Sequence, residues 1–234
     1  MEFDAKTVLI TGAAGNLGKA VAAAFAAAGA SLALLDADHE GLRSAYPGED
    51  RRKLLVSGDL AQPESVASAV QTAFGHFGRI DVLCNLAGGF RMGHPVHETP
   101  DEVWRLMLDL NAATVLQMAR AVVPKMLAAG SGKIINIAAM AGLAGKADMG
   151  AYAASKSAVI RLTEAMAAEL REKNINVNCI LPSILDTPQN RAAMPRARHE
   201  SWVRPEQVAA LLSFLGSDAS AAVTGALIPI YGRA

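Results

Sequence analysis

The chain lacks the marks of several protein classes. It has no lysine- or arginine-rich block and no acidic tail; 22 basic residues balance 22 acidic ones, for a formal net charge of zero. Nucleic acid is therefore not expected as a partner, and a small neutral or anionic metabolite is. No uncharged run reaches the roughly 18 residues that suggest a membrane span. The longest, residues 20–35, is broken by Gly29 and reads as a helix followed by a strand, so no membrane partner is expected. No secretory leader is expected either, because Met1-Glu2-Phe3-Asp4 is acidic and leads directly into a strand pattern. Cysteine is scarce. Cys84 and Cys179 sit in apolar strand patterns and read as reduced core thiols of a cytoplasmic protein.

What the chain does have is apolar material arranged in alternation. With 52% hydrophobic and 19% charged residues, its 234 residues suit one well-buried core. Strand patterns fall at 6–11, 31–36, 53–57, 80–85, 133–138, 175–181 and 227–230. Helical patterns fall at 17–28, 63–77, 100–129, 151–172 and 205–215. The strands are apolar throughout rather than alternating, which implies burial on both faces. Repeats, linkers and shifts of composition are absent. The expectation is an α/β fold: one Rossmann-type domain over residues 1–234, a doubly wound parallel sheet of about seven strands with helices on both faces. The pattern breaks mainly at 88–100 and 182–204. Both follow strand C-termini, where open parallel sheets bind ligands, and 183–204 reads as a mobile lid.

The first strand leads through Thr11-Gly12-Ala13-Ala14-Gly15-Asn16-Leu17-Gly18 into the first helix. Glycines let a turn approach a diphosphate closely, and the positive helix end favours its charge. The spacing is G-x-x-G-x-x-G, so position rather than spacing carries the signal. Asp36, ending the second strand, can accept hydrogen bonds from adenosine ribose hydroxyls and repel an added phosphate, which favours NAD(H) over NADP(H). A helix-cap role for Asp36 is the structural alternative, with Asp38 nearby.

Six ordered motifs then make the chain resemble the short-chain dehydrogenase/reductase family over essentially its whole length. They are Thr11 to Gly18, Asp59-Leu60, Asn85-Leu86-Ala87-Gly88, Asn111, Tyr152-Ala153-Ala154-Ser155-Lys156, and Pro182 to Thr187. The resemblance implies an NAD(H)-dependent oxidoreductase moving hydride to or from a small carbonyl, alcohol or conjugated-ring substrate. Tyr152 would be the acid/base. Lys156 would lower the tyrosine pKa and hold the nicotinamide ribose, and Asn111 would anchor a proton-relaying water. Gly12, Gly15, Asn16, Leu17, Gly18 and Asp36 would hold the cofactor with Asp59 and Leu60 beside the adenine. Asn85, Ala87 and Gly88 would line the cleft, and Pro182, Leu185 and Thr187 would embrace the nicotinamide and phosphates. Asp59 has the alternative role of capping a turn, and Pro182 that of ending a strand.

The chain departs from the family in three places: Asn16 replaces the middle glycine, Ser183 replaces the glycine after Pro182, and Ala139 stands where a catalytic serine is usual, thirteen residues before Tyr152. Losing such a donor costs on the order of 100-fold in rate. Ser183, Arg91 or His94 could replace the donor, a conjugated substrate could dispense with it, or the protein could be a cofactor-binding regulator with an impaired site. The stretch 185–195, followed by Trp202, is similar to that of dihydropteridine reductases, family members that work without the serine.

Smaller signals remain. His94-x-x-His97 has only Glu98 beside it, so no metal is expected. Phe90, Arg91 and Met92 could shape a substrate pocket, and Arg91 or Arg191 could meet an anionic ligand. Ala153, Ala158, Ala165 and Ala168 permit close helix packing. The resemblance implies a homodimer or homotetramer built on the two longest helices.

Overall fold

The computed structural model describes residues 2–233; Met1 and Ala234, the ends of the expected domain, lie outside them. In chain order the elements are β1 (Thr7–Thr11), α1 (Asn16–Ala27), β2 (Ser31–Asp36), α2 (His39–Ala45), β3 (Lys53–Ser57), α3 (Pro63–Phe77) and β4 (Val82–Asn85). Then follow α4 (Asp101–Leu108), α5 (Thr114–Ala129), β5 (Gly132–Ile137), α6 (Gly150–Leu170), β6 (Ile175–Pro182), α7 (Pro188–Ala193), α8 (Pro205–Gly216) and β7 (Leu227–Ile230). The strands form one parallel sheet in the order β3-β2-β1-β4-β5-β6-β7. The fold is therefore the Rossmann-type α/β sheet expected, and the order reverses between β1 and β4.

Each strand is apolar on both sides because each side meets a layer of helices. Val8 and Ile10 pack with α1 and α8 through Phe25, Leu212 and Leu215. Leu9 points the other way, with Val66, Val70, Met118 and Leu170 of α3, α5 and α6. Every such fully buried aliphatic side chain contributes roughly 1.5–3 kcal/mol. Both cysteines are free and buried in these layers, and burial raises both thiols, Cys179 to about 11.

The expected helix over 100–129 forms as a continuous helical run from Asp101, with a π turn at Asp109–Ala113 between α4 and α5. The combined run Asp101–Ala129 is long and apolar enough to cross a membrane by length and composition alone. Its length matches a core role, since Met107, Asn111, Met118, Val122 and Met126 are buried along it. Two short helices were not expected. Asp38 caps α2 by accepting from the Gly41 amide at 2.9 Å, and Thr187 caps α7 by accepting from the Asn190 amide at 3.2 Å.

The stretch 183–204 is more built than a plain mobile loop. It contains α7 and a 3-10 turn at His199–Ser201, and Asp186 and Arg191 pair bidentately at 2.5 and 2.8 Å. The Val203 amide donates to Ile184 and the Asp186 amide to Val203, at 2.9 and 2.8 Å, while Trp202 is buried.

Candidate active site

The register of the sheet brings the C-terminal ends of β1, β2 and β4 level, pairing Thr11 with both Leu35 and Asn85. The Thr11 hydroxyl ties the crevice together by accepting from the Leu86 and Ala87 amides at 3.1 and 3.2 Å. Gly12 follows with φ +67°, against Ala87, where a side chain would be strained and crowded. A Cβ on Gly18 would overlap the Gly12 carbonyl, so this glycine lets α1 start tight against the turn. Gly15 is the N-cap of α1, without a side-chain cap hydrogen bond, and the first turn of α1 holds no acidic residue. A helix start of this kind fits a diphosphate.

Asp36 holds the turn from the side. Its carboxylate accepts from the Ala14 amide at 2.9 Å and the Asp38 amide at 3.1 Å. The cap alternative belongs to Asp38, not Asp36. Tyr46, which the sequence did not single out, donates its hydroxyl to the Ala13 carbonyl at 2.7 Å. Burial and the nearby Asp36 carboxylate push its ionisation well above the ordinary tyrosine range, so it keeps the proton it donates. Asn16 reaches across to the following loop, donating to Gln189 of α7 at 2.7 Å. Leu17 packs at the edge of the α1 layer.

Asp59 and Leu60 follow β3 with different surroundings. Asp59 is exposed and caps its own turn by accepting from the Ala61 amide at 2.9 Å; Leu60 is buried beneath α3 with Leu9, Leu35 and Val66. Asn85 is likewise turned inward. Its amide donates to Asn136 at 2.9 Å, which donates to Thr163, while Asn85 Oδ1 is buried without a partner among the described residues. Ala87 is partly buried. Pro182 ends β6, Leu185 gives its carbonyl to the Asn190 amide group at 2.8 Å, and Thr187 is the cap of α7.

The reactive end of the crevice is built around Gly88. A Cβ there would lie 2.6 Å from Asn111 Oδ1 and 3.3 Å from Lys156 Nζ, so these two side chains meet at one glycine. Asn111 sits in the π turn and its amide is fully used. It donates to Gly89 O, Met107 O and Ser155 Oγ, each at 3.1 Å, and accepts from the Gly89 amide at 3.1 Å. Such π turns recur at functional sites.

Tyr152 and Lys156 share one face of α6, and Lys156 Nζ lies 6.0 Å from the Tyr152 ring centre. Lys156 is buried and donates to the Ile137 carbonyl at 3.1 Å. Burial lowers its pKa to about 8, the negative form of Cys179 opposing. Tyr152 goes the other way: burial pushes its hydroxyl up to about 12. Desolvation opposes the lowering that a nearby ammonium would bring. The phenol keeps its proton at neutral pH and suits donation.

Ala139, at the end of β5, is 8% exposed in extended backbone, with its carbonyl accepting from the Gly142 amide at 2.9 Å. The three considered substitutes stand in different surroundings. Ser183 gives its hydroxyl to the Tyr231 carbonyl at 2.9 Å, Arg91 turns to the Phe90 carbonyl, and His94 is exposed. Arg191 is engaged by Asp186. His97 lies 3.4 Å from Glu98, and the described residues hold no group of three metal-binding side chains.

A parallel sheet reversing between β1 and β4, with a glycine turn at that crevice, defines a nucleotide-binding α/β protein. The family model described as short chain dehydrogenase matches residues 6–197. The chain belongs to the short-chain dehydrogenase/reductase family, a family of oxidoreductases using nicotinamide cofactors. It is 34% identical to the 3-oxoacyl-(acyl-carrier-protein) reductase FabG of Thermotoga maritima, over 99% of this chain and 98% of that one. It is 32% identical to the cis-4-hydroxycyclohexanecarboxylate dehydrogenase of Sinomonas cyclohexanicum, over 98% and 96%. The crystal structure of an NAD+-bound xylitol dehydrogenase superposes with a TM-score of 0.91 at 29% identity, covering 99% of this chain and 100% of that one.

Proposed function

We propose that the chain transfers hydride between NAD(H) and a small carbonyl or alcohol, with Tyr152 as its acid/base. The observation that carries the reading is the meeting of Asn111 and Lys156 at Gly88, with the Tyr152 ring centre 6.0 Å from Lys156 Nζ. When bound, the nicotinamide supplies or accepts the hydride. Gly12, Gly15, Asn16, Leu17 and Gly18 form the turn and helix start that receive the diphosphate. Asn85, Ala87 and Gly88 form the far wall, with Pro182, Leu185 and Thr187 above it; Asp59 and Leu60 shape the adenine end through backbone and packing. Tyr152 Oη delivers its proton to the substrate oxygen during reduction and recovers it during oxidation. Lys156, held by Ile137, places a positive charge beside that exchange, and Asn111 fixes Gly89 and α6 around it. A steady-state assay of NADH oxidation against a carbonyl panel tests the reading. Cofactor binding with no turnover of any carbonyl would instead favour a regulator with an impaired site.

Ala139 supports a second reading, a dihydropteridine-reductase-like activity, because a conjugated ring needs no serine hydroxyl to stabilise the reacting oxygen. Quinonoid dihydropteridine belongs in the same panel, and no consumption above background would eliminate it.

Asp36 supports NAD(H) over NADP(H): it ends β2 beside the glycine turn, and its carboxylate would repel an added ribose phosphate there. Asp36→Asn is expected to reduce the NADH preference by about ten-fold, or ~1.4 kcal/mol. The ratio of kcat/KM for the two cofactors measures it; an unchanged ratio would remove Asp36 from cofactor selection.

The assembly we favour is a homodimer or homotetramer in a reducing cytoplasm, a setting consistent with the free cysteines. Supporting the assembly is an apolar groove between α5 and α6 lined by Leu116, Ala119, Val123, Leu162, Ala165 and Met166. Ala153 is buried in the chain, whereas Ala165 and Ala168 are exposed. The mass in solution decides between one copy and several.

A further inference from the structure

The loop after β4 carries an aromatic ring to the reactive tyrosine and fixes it there. Gly89 is bonded to Asn111 through both its amide and its carbonyl, at 3.1 Å each, which fixes the backbone leading into Phe90. Beyond Phe90, the Gly93 amide donates to Asp148 at 2.8 Å, and His94 bridges to Met149. Gly150 leaves no room for a side chain, since a Cβ would lie 2.8 Å from Val96 Cγ2. The segment 90–96 is thus anchored to Asn111 at one end and to the residues leading into α6 at the other. Between these anchors the Phe90 and Tyr152 rings meet edge to face, with centres 4.8 Å apart and planes at 88°.

Phe90 is nevertheless 46% exposed, and it is not alone. Met92 and Val96 in the same segment, and Leu143 in the turn after Ala139, are 53%, 79% and 52% exposed. That turn is tied to α6 by Ser157, whose hydroxyl donates to Gly142 O at 2.6 Å. Scattered exposed apolar residues need no explanation, but those in two segments bracketing Tyr152 mark a ligand surface. The position that usually offers a hydroxyl is a methyl group, Ala139. A polyol would meet few partners for its remaining hydroxyls on such a surface, and leaving polar groups unbonded disfavours it.

We propose that Phe90 is a specificity-determining residue that receives the apolar ring of a cyclic ketone or alcohol, presenting its oxygen to Tyr152. The proposal rests on the oxidoreductase reading and adds the substrate class to it. An aromatic ring offers an aliphatic or conjugated ring a flat contact, and one already packed on Tyr152 sets the distance between substrate ring and acid.

The test compares cyclohexanone and 2-cyclohexen-1-one with dihydroxyacetone and xylulose as NADH-linked substrates, in the full chain and in Phe90→Ala, Phe90→Leu and Phe90→Tyr. Wild-type protein is expected to prefer the cyclic ketones by at least ~ten-fold in kcat/KM. Phe90→Ala should raise KM for the rings about ten-fold and change kcat less, leaving the acyclic substrates nearly unchanged. Phe90→Tyr should restore the ring KM. If Phe90→Ala does not fold, Phe90→Leu gives the same comparison with volume kept and the aromatic face removed. Acyclic substrates used as well as cyclic ones would overturn the ring assignment while leaving the oxidoreductase reading intact. Equal losses for both substrate types would reduce Phe90 to a structural residue. A change of solution mass in Phe90→Ala, with ring KM unchanged, would make the patch a subunit contact. No NADH consumption with either type would sink both proposals.

Discussion

Tyr152→Phe is expected to lower turnover in both directions by about 1,000-fold while NADH still binds. The substitution removes one oxygen and keeps the ring, so the edge-to-face contact with Phe90 survives. Lys156 keeps its bond to Ile137, and Asn111 keeps its bonds to Gly89, Met107 and Ser155. What disappears is the proton on an oxygen that burial holds up to about 12. Steady-state rates with fluorescence titration of NADH separate the two quantities, and turnover within ten-fold of wild type would take the acid/base role from Tyr152. A pH profile adds the lysine. Its folded-state pKa is lowered, so its charge is complete below about 8 and lost as the pH rises through that value. Reduction should therefore weaken on the alkaline side of about 8, well before Tyr152 itself ionises. Lys156→Arg, which keeps its charge, should move that limb upward; an unmoved limb would assign it to another group.

The sheet was legible because parallel strands covered on both faces cannot hide their composition: Val8, Leu9 and Ile10 are all apolar since alternate residues enter different helix layers. The glycine turn was legible for a similar reason, as Gly12 and Gly18 leave no room for substitution. Contacts across long separations were not. Nothing near Tyr46 announces that its hydroxyl will reach Ala13, 33 residues away. The sequence from Pro100 to Ala129 fits a continuous helix. The π turn within it at Asp109–Ala113 carries Asn111, whose contacts to Gly89 and Ser155 lie on other elements and leave no local pattern. Asn16 was read as a cofactor residue in place of a glycine, and nothing local shows that its side chain also spans to Gln189. The inward turn of Asn85 toward Asn136 depends on β4 and β5 pairing in register, which no local pattern encodes.

Ala139→Ser is expected to increase kcat for a saturated ketone on the order of 100-fold with little change in KM. The backbone at this position is already fixed. It continues β5 in extended form, the Ala138 amide donates to Ile180 at 3.0 Å, and the Ala139 carbonyl receives the Gly142 amide at 2.9 Å. A serine there adds one hydroxyl to a position held in place by the sheet, so its effect reports stabilisation of the reacting oxygen rather than reshaping of the loop. A conjugated ring ketone spreads the developing charge over its own atoms and should gain less than about ten-fold. The difference between the two gains therefore measures how much of the missing hydroxyl's work the substrate performs. Parallel kcat measurements on cyclohexanone and 2-cyclohexen-1-one read it directly. Equal gains would mean that conjugation plays no such part. No gain for either, with NADH binding intact, would mean that this active site stabilises its oxygen by a group other than a residue at position 139.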